Sequence, residues 1–217
     1  MNQHNQRIGG IAAIVEGILY IIGFVFLLTI LGPAMEEGKS EMEKLSFLLE
    51  NKTLFQVWNT LIYVVFGVVL IPLVLAINAN FKSASLIGTK ATPILGLIWS
   101  VLVIASGMIA NVGLDSVSQL YVSDATNALT TWKTIEIIQN GLGGGVEIVG
   151  GLWVLLISLF GLREKVFPKA IHYLGLIVGS AGILTIVPGL KELGAVFGLT
   201  QIVWFIWFGI ILLRIKE

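Results

Sequence analysis

Glu147 lies inside the most glycine-dense apolar stretch of the chain, Asn140-Gly141-Leu142-Gly143-Gly144-Gly145-Val146-Glu147-Ile148-Val149-Gly150-Gly151. A carboxyl group there must be protonated, paired, or turned toward a wet cavity. Glu16 is the second acid set in an apolar run, and Glu136 stands near the end of another. No basic residue lies deep in an apolar run, so a buried salt bridge is not available to either inner acid. Two chemistries fit. In one, Glu147 binds a proton or a cation, with Asn140, Asn111 and Glu16 as assisting groups and Gln139, Asn59 and Thr60 as further oxygen donors. In the other, it is a neutral acid hydrogen-bonded across helices as structural glue. Inserting a charge at mid-span costs roughly 2.5–3.5 kcal/mol, which so apolar a chain can absorb, so both stand.

The elements that position these acids are membrane helices. Hydrophobic residues make up 56% of the 217, charged residues 12%, and the formal net charge is zero. Mean hydropathy is +0.95. The apolar residues come in runs near the length that crosses a bilayer, and only helices satisfy every backbone group within such a run. The predicted architecture is all-α: one polytopic transmembrane helical bundle over residues 1–217. Its six spans fall at about 8–32, 54–79, 93–113, 134–161, 170–190 and 196–214. Glu16 then sits ~12 Å into span 1 at 1.5 Å per residue, and Glu147 near the middle of span 4.

Lysine and arginine sort by side. Arg7, Lys82, Lys90, Arg163, Lys165, Lys169, Arg214 and Lys216 fall on one side, joined only by the acids Glu164 and Glu217. Lys39, Lys44, Lys52, Lys133 and Lys191 fall on the other, with Glu36, Glu37, Glu41, Glu43, Glu50, Asp115, Asp124 and Glu192. That asymmetry predicts both termini in the cytoplasm. The basic inner face suits anionic lipid headgroups. Its charges are spread over short loops, which gives no support to nucleic-acid binding.

Two outer loops carry helix signals. Ser40-Glu41-Met42-Glu43 reads as a capping box, followed by Met42, Leu45, Leu48 and Leu49 on one face. The second outer loop, at about 114–133, carries Ser123-Asp124-Ala125-Thr126, another candidate helix start. Such helices shield the end of a bundle, or act as a lid or docking face. Asn51-Lys52-Thr53 fits a glycosylation sequon, a pattern common by chance.

Small residues mark close packing. Gly141 and Gly145 form a small-xxx-small pair, and Gly175, Gly179 and Gly182 follow one face of span 5. Such faces pack helices within the chain, across a homodimer, or against a partner membrane protein. Gly143-Gly144-Gly145 also weakens span 4, at ~1 kcal/mol per glycine relative to alanine, so a hinge or unwound segment beside Glu147 is expected. Pro72 and Pro188 are candidate kinks. Trp204 and Trp207 in the aromatic last span are expected to pack against neighbours or lipid, with a ligand groove as the sharper reading.

Several chemistries lack their residues. There is no cysteine, and His4 and His172 are the two histidines. Paired-histidine haem ligation and histidine-rich zinc sites are therefore unsupported, and no metal or cofactor is expected. His172 is more than two turns from Ser180 and makes an implausible base for it. No phosphate-binding loop is present. Enzymatic chemistry finds no support.

Residues 150–185 carry a resemblance. Gly151-Leu152-Trp153 opens it, followed by Leu159, Gly161, Arg163, Phe167-Pro168-Lys169, Gly175-Leu176-Ile177, Gly179, Gly182 and Ile183; Arg7-Ile8-Gly9-Gly10-Ile11 and the tryptophan-rich last span are also similar. In these the chain resembles a bacterial family of multi-pass membrane proteins catalogued as a domain of unknown function. A proline usual after Gly-Leu-Trp is absent here. The resemblance implies a bundle of six or seven spans in a bacterial inner membrane, in contact with membrane lipids, and transfers no active site. Two functions follow as expectations: a small ion- or proton-coupled carrier centred on Glu147, or a non-catalytic membrane subunit that binds a partner protein or lipid. Val15-Glu16-Gly17 and Val146-Glu147-Ile148 hint at an inverted repeat, but two matched residues do not establish one.

Overall fold

In the computed structural model, which describes residues 3–32, 38–81 and 90–215, every regular element is a helix. Glu36, Glu37, Lys82, Lys216 and Glu217, which enter the charge asymmetry, lie outside the described residues. The order is α1 (Gln3–Thr29), α2 (Glu41–Glu50), α3 (Lys52–Asn59), α4 (Phe66–Asn78), α5 (Thr92–Ser123), α6 (Ala125–Gln139), α7 (Ile148–Glu164), α8 (Lys169–Leu184) and α9 (Leu193–Arg214). A π-turn over Thr60–Val65 joins α3 to α4, and a second over Asn140–Gly144 follows α6.

Among the described residues, α1, α3–α4, α5, α6–α7 and α9 are long and apolar enough to cross a membrane. Large apolar side chains such as Ile18, Val25, Val101, Val112, Val203 and Ile210 point outward from them. A bundle that is apolar outside as well as inside suits a bilayer, so the fold is compatible with a multi-pass membrane protein.

The sixth apolar element, α8, has 16 residues, about 24 Å at 1.5 Å per residue. The expected span 170–190 is therefore helical only to Leu184. Pro188 has no N–H to donate and restrains the residue before it. The hydroxyl of Thr185 donates to the carbonyl of Gly182 (2.7 Å), and Gly189 takes a left-handed φ of +88°. Pro188 thus follows a helix end; it does not kink a helix that continues.

One other expectation changes and one is met. The loop at 114–133 is almost entirely helical: α5 runs to Ser123, and Asp124 caps α6 by accepting the N–H of Asn127 (3.0 Å). Leu114, Val117, Ala128 and Trp132 are buried along this hairpin, an i, i+3/i+4 pattern that polar neighbours obscure in the sequence. The unwound segment expected beside Glu147 is present: span 4, placed at about 134–161, is broken at Gly143, whose φ of +117° other residue types rarely adopt without strain.

Lipid offers no hydrophobic drive between helices, so close backbone approach carries the packing. A Cβ on Gly179 would lie 2.8 Å from the carbonyl oxygen of Gly151, and one on Gly151 2.7 Å from the amide nitrogen of Ile183. Gly182 packs against the same turn of α7, and Gly175 lies under Ser158 and Trp204. Gly141 and Gly145 are placed differently. Gly141 has open space within 4 Å, and Gly145 meets only Asn140 of its own broken segment. The bundle centre is aromatic: the Trp153 and Trp204 rings are 5.7 Å apart, and those of Trp204 and Phe208 4.7 Å. Trp204 is fully enclosed, whereas Trp207 is exposed at the surface.

The short helix α2 folds down over this end of the bundle. Its capping box is formed: Ser40 N–H donates to Glu43 (2.7 Å), and Glu43 N–H donates to Ser40 Oγ (3.3 Å). Leu45 and Leu48 are buried beneath it. The hydroxyl and then the backbone N–H of Ser40 hold the Glu43 carboxyl below the ordinary carboxylate range. The box therefore contributes in full above that range and fades as pH falls through the depressed value. Hydrogen exchange at Lys44 and Leu45 should be slower at pH 6 than at pH 3 after correction for intrinsic rates, and Glu43→Gln should remove the difference.

Candidate functional site

Glu147 is the residue before α7, placed there by the glycine break. Its N–H donates to the hydroxyl of Thr185 (2.9 Å), which ties the break in span 4 to the early end of α8. Two irregular backbone segments thus meet at one level. Irregular backbone persists inside a membrane only where protein buries it or a wet cavity borders it. From Glu147 to Arg163 at the far end of α7 is about 24 Å along the helix. Glu147 accordingly sits toward the α2 end of the bundle, not at its midplane.

The side chain of Glu147 is half-buried. Among the described residues its carboxyl receives no hydrogen bond. It faces a cavity of about 270 Å³ whose walls include Tyr20, Trp58, Tyr63, Phe66 and Trp99. Tyr63 stands on the first π-turn and Gly143 and Gly144 on the second, and the Tyr63 hydroxyl donates to the carbonyl of Gly144 (3.4 Å). The extra residue of a π-turn re-aims the side chains that follow, and such turns recur at functional sites. Here two of them border one cavity.

A second cavity of about 410 Å³ adjoins the first, and Leu27, Trp58 and Tyr63 line both. It opens under α2, with Glu41, Lys44, Lys133 and Glu136 on its rim. Lys44 pairs with Glu41 at 2.9 Å and Lys133 with Glu41 at 3.7 Å. The second cavity lies toward the polar α2 end and the first at Glu147, with Trp58 and Tyr63 in the wall they share. The Trp58 indole N–H is fixed to the carbonyl of Gly23 (3.3 Å).

The other sequence candidates separate. Asn140 is exposed and lines the outer cavity, not the inner one. Glu16 is fully enclosed on α1, and both of its carboxyl oxygens lack a partner among the described residues. Tyr20 is one turn beyond Glu16 on the same face. Counting from Arg7 along α1, Glu16 and Tyr20 stand at about 14 and 20 Å, against about 24 Å for Glu147 on its own helix. Of the two α1 residues, Tyr20 lines the cavity with Glu147 and Glu16 does not.

Asn111 borders neither cavity. It accepts from Asn59 Nδ2 (2.9 Å) and donates to Thr60 Oγ1 (2.8 Å), while Asn59 also donates to the carbonyl of Gly107 (2.8 Å). Gln139 joins by donating to Asn59 Oδ1 (3.4 Å). This clasp fixes the first π-turn to α5 and α6. Asn59→Ala is expected to destabilise the bundle by roughly 1–2 kcal/mol, because it strands partners in a dry interior. Thermal unfolding in detergent measures it, and an unchanged midpoint would remove the clasp from the account.

Tyr20, Trp58, Tyr63 and Thr185 were not singled out from the sequence. Tyr20 had a signal, its i+4 spacing from Glu16; Tyr63 had none, since only the π-turn aims it inward. No protein-family model, no curated protein and no solved structure matches the chain.

Proposed function

We propose that the chain is a six-span membrane protein with both termini cytoplasmic, and that it carries protons or cations across the bilayer through Glu147. In this reading α8 and the turns after it form the sixth crossing, and the lysine and arginine asymmetry puts the α2 end outside. The resemblance over residues 150–185 favours a bacterial inner membrane as its location.

One observation carries the proposal: two adjoining cavities lie between the α2 end and a carboxyl group that receives no hydrogen bond among the described residues. A half-buried acid that faces a cavity retains its capacity to bind a proton or cation. Glu147 takes the ion from outside. Tyr20 shares the cavity wall with Glu147 and follows Glu16 by one helical turn, and in this reading Glu16 is a second carboxyl station deeper in the membrane. Below them the Trp99, Trp153, Trp204 and Phe208 rings close the inner half. At the inner end Phe167, held at a left-handed φ of +65°, packs on Phe208 (4.9 Å). The glycine break gives the half-helices α6 and α7 the freedom to change their angle, as discontinuous helices do in transporters.

The alternative is a non-catalytic subunit that binds a partner protein or lipid. The small-residue face expected to serve it, Gly175, Gly179 and Gly182, is already covered by α7 and α9 within the chain. The carrier is therefore the better-supported reading. Purified protein in proteoliposomes should dissipate an imposed proton or monovalent-cation gradient faster than empty liposomes. Glu16→Gln should slow that flux without stopping the first binding step at Glu147. Equal rates with and without protein, over a panel of cations and pH values, would remove the carrier reading.

A further inference from the structure

We infer that the ligand of the inner cavity is an organic cation, a tertiary or quaternary ammonium of modest size. The inference rests on the carrier reading of the same site and names its substrate class. The cavity walls carry six aromatic side chains, Tyr20, Phe24, Trp58, Tyr63, Phe66 and Trp99. Glu147 is the single charged residue among the described lining, and no lysine, arginine or histidine joins it.

Each part of that lining selects. Aromatic faces attract a cation through the ring quadrupole, most strongly where water is excluded. A lone carboxylate adds one negative charge and sets the ligand's charge at +1. The same surroundings disfavour an anion, which would meet Glu147 with no compensating donor. They also disfavour a bare hard cation, which needs six or more oxygens for a calcium-like shell.

Apart from the Tyr20 hydroxyl, side-chain hydrogen-bond donors on the walls are already used or turned away. The Trp58 indole N–H is committed to the carbonyl of Gly23 and the Tyr63 hydroxyl to that of Gly144. The Trp99 indole N–H is enclosed away from any accessible surface. What remains for a ligand is ring faces, one carboxylate and the Tyr20 hydroxyl, which can also accept a hydrogen bond from a protonated amine. That set matches a positive centre sheathed in alkyl groups. At about 270 Å³ the chamber is at the small end of ligand pockets, which limits the ligand to a compact ammonium.

The test is equilibrium binding to the full chain in lipid nanodiscs, with choline as the probe and its neutral carbon isostere dimethylbutanol as the control. Choline should bind about tenfold or more tightly than the isostere. Trp58→Leu should erase that preference, while Trp58→Phe should keep most of it, with thermal midpoints recorded for both to confirm folding. Equal binding of the two probes, or binding of neither by folded protein, overturns the inference and leaves proton or inorganic-cation flux at Glu147 to be judged by the liposome assay. Choline-selective binding that depends on the ring at position 58 supports the inference even if no flux is found, in which case the carrier reading alone fails.

Discussion

Glu147→Gln should abolish proton- or cation-coupled flux while changing the stability of the fold by less than about 1 kcal/mol. The two halves of that result come from one geometry. Glutamine keeps the volume of the side chain but not its charge, and it can neither release a proton nor balance a cation. Among the described residues the carboxyl receives no hydrogen bond, so the substitution strands no partner. The backbone N–H bond to Thr185 does not depend on the side chain and stays. A structural acid would behave in the opposite way, with a clear fall in the thermal midpoint and no change in flux. Flux in proteoliposomes and thermal unfolding of the same preparation therefore separate the two readings of Glu147.

The second large effect is expected at the contact between α7 and α8. Gly179→Leu should leave little folded protein, because its Cβ alone would press to 2.8 Å on both the Gly151 carbonyl oxygen and the Leu155 amide nitrogen. Backbone atoms cannot swing aside as a flexible side chain can. The helices must separate, at roughly 3 kcal/mol or more. Separation would also pull Thr185 from the N–H of Glu147 and disturb the site. Gly141→Ala is the contrasting case, since a Cβ there meets nothing within 4 Å. Size-exclusion profiles and thermal midpoints should show Gly179→Leu aggregated and Gly141→Ala close to the parent. Equal tolerance at both positions would mean that glycine at 179 is not what sets the helix spacing.

The sequence made some of this legible and concealed the rest, for physical reasons. Helical class and the apolar spans followed from run length, because a bilayer admits few other solutions. Glu147 stood out because an acid among glycines and aliphatics has no ordinary role. The glycine break was readable from three consecutive residues of low helix propensity. What the sequence did not contain was the angular consequence of each break. A π-turn rotates the following side chains relative to the helix before it, so Tyr63 reaches the cavity from a position that no regular periodicity selects. The length of span 5 was overestimated because Ile186 and Val187 prolong its hydropathy beyond the point where Pro188 ends hydrogen bonding. Asn111 and Asn140 were grouped with Glu147 on polarity alone. Their distinct fates, one in a clasp between helices and one on an outer rim, depend on helix packing that composition does not encode.

The central claim is that Glu147 faces water from the α2 end of the bundle. The chain contains no cysteine, so a single introduced thiol reports without background. Glu147→Cys, held in sealed membranes, should be modified by an impermeant cationic methanethiosulfonate applied on the α2 side and spared when the reagent is applied on the other. Ile157→Cys, fully enclosed on the same helix, should stay unmodified from both sides until the protein is denatured. A thiol at position 147 that is as inert as the one at 157 would contradict the account, because the carboxyl would then have no route to the ion it is proposed to bind.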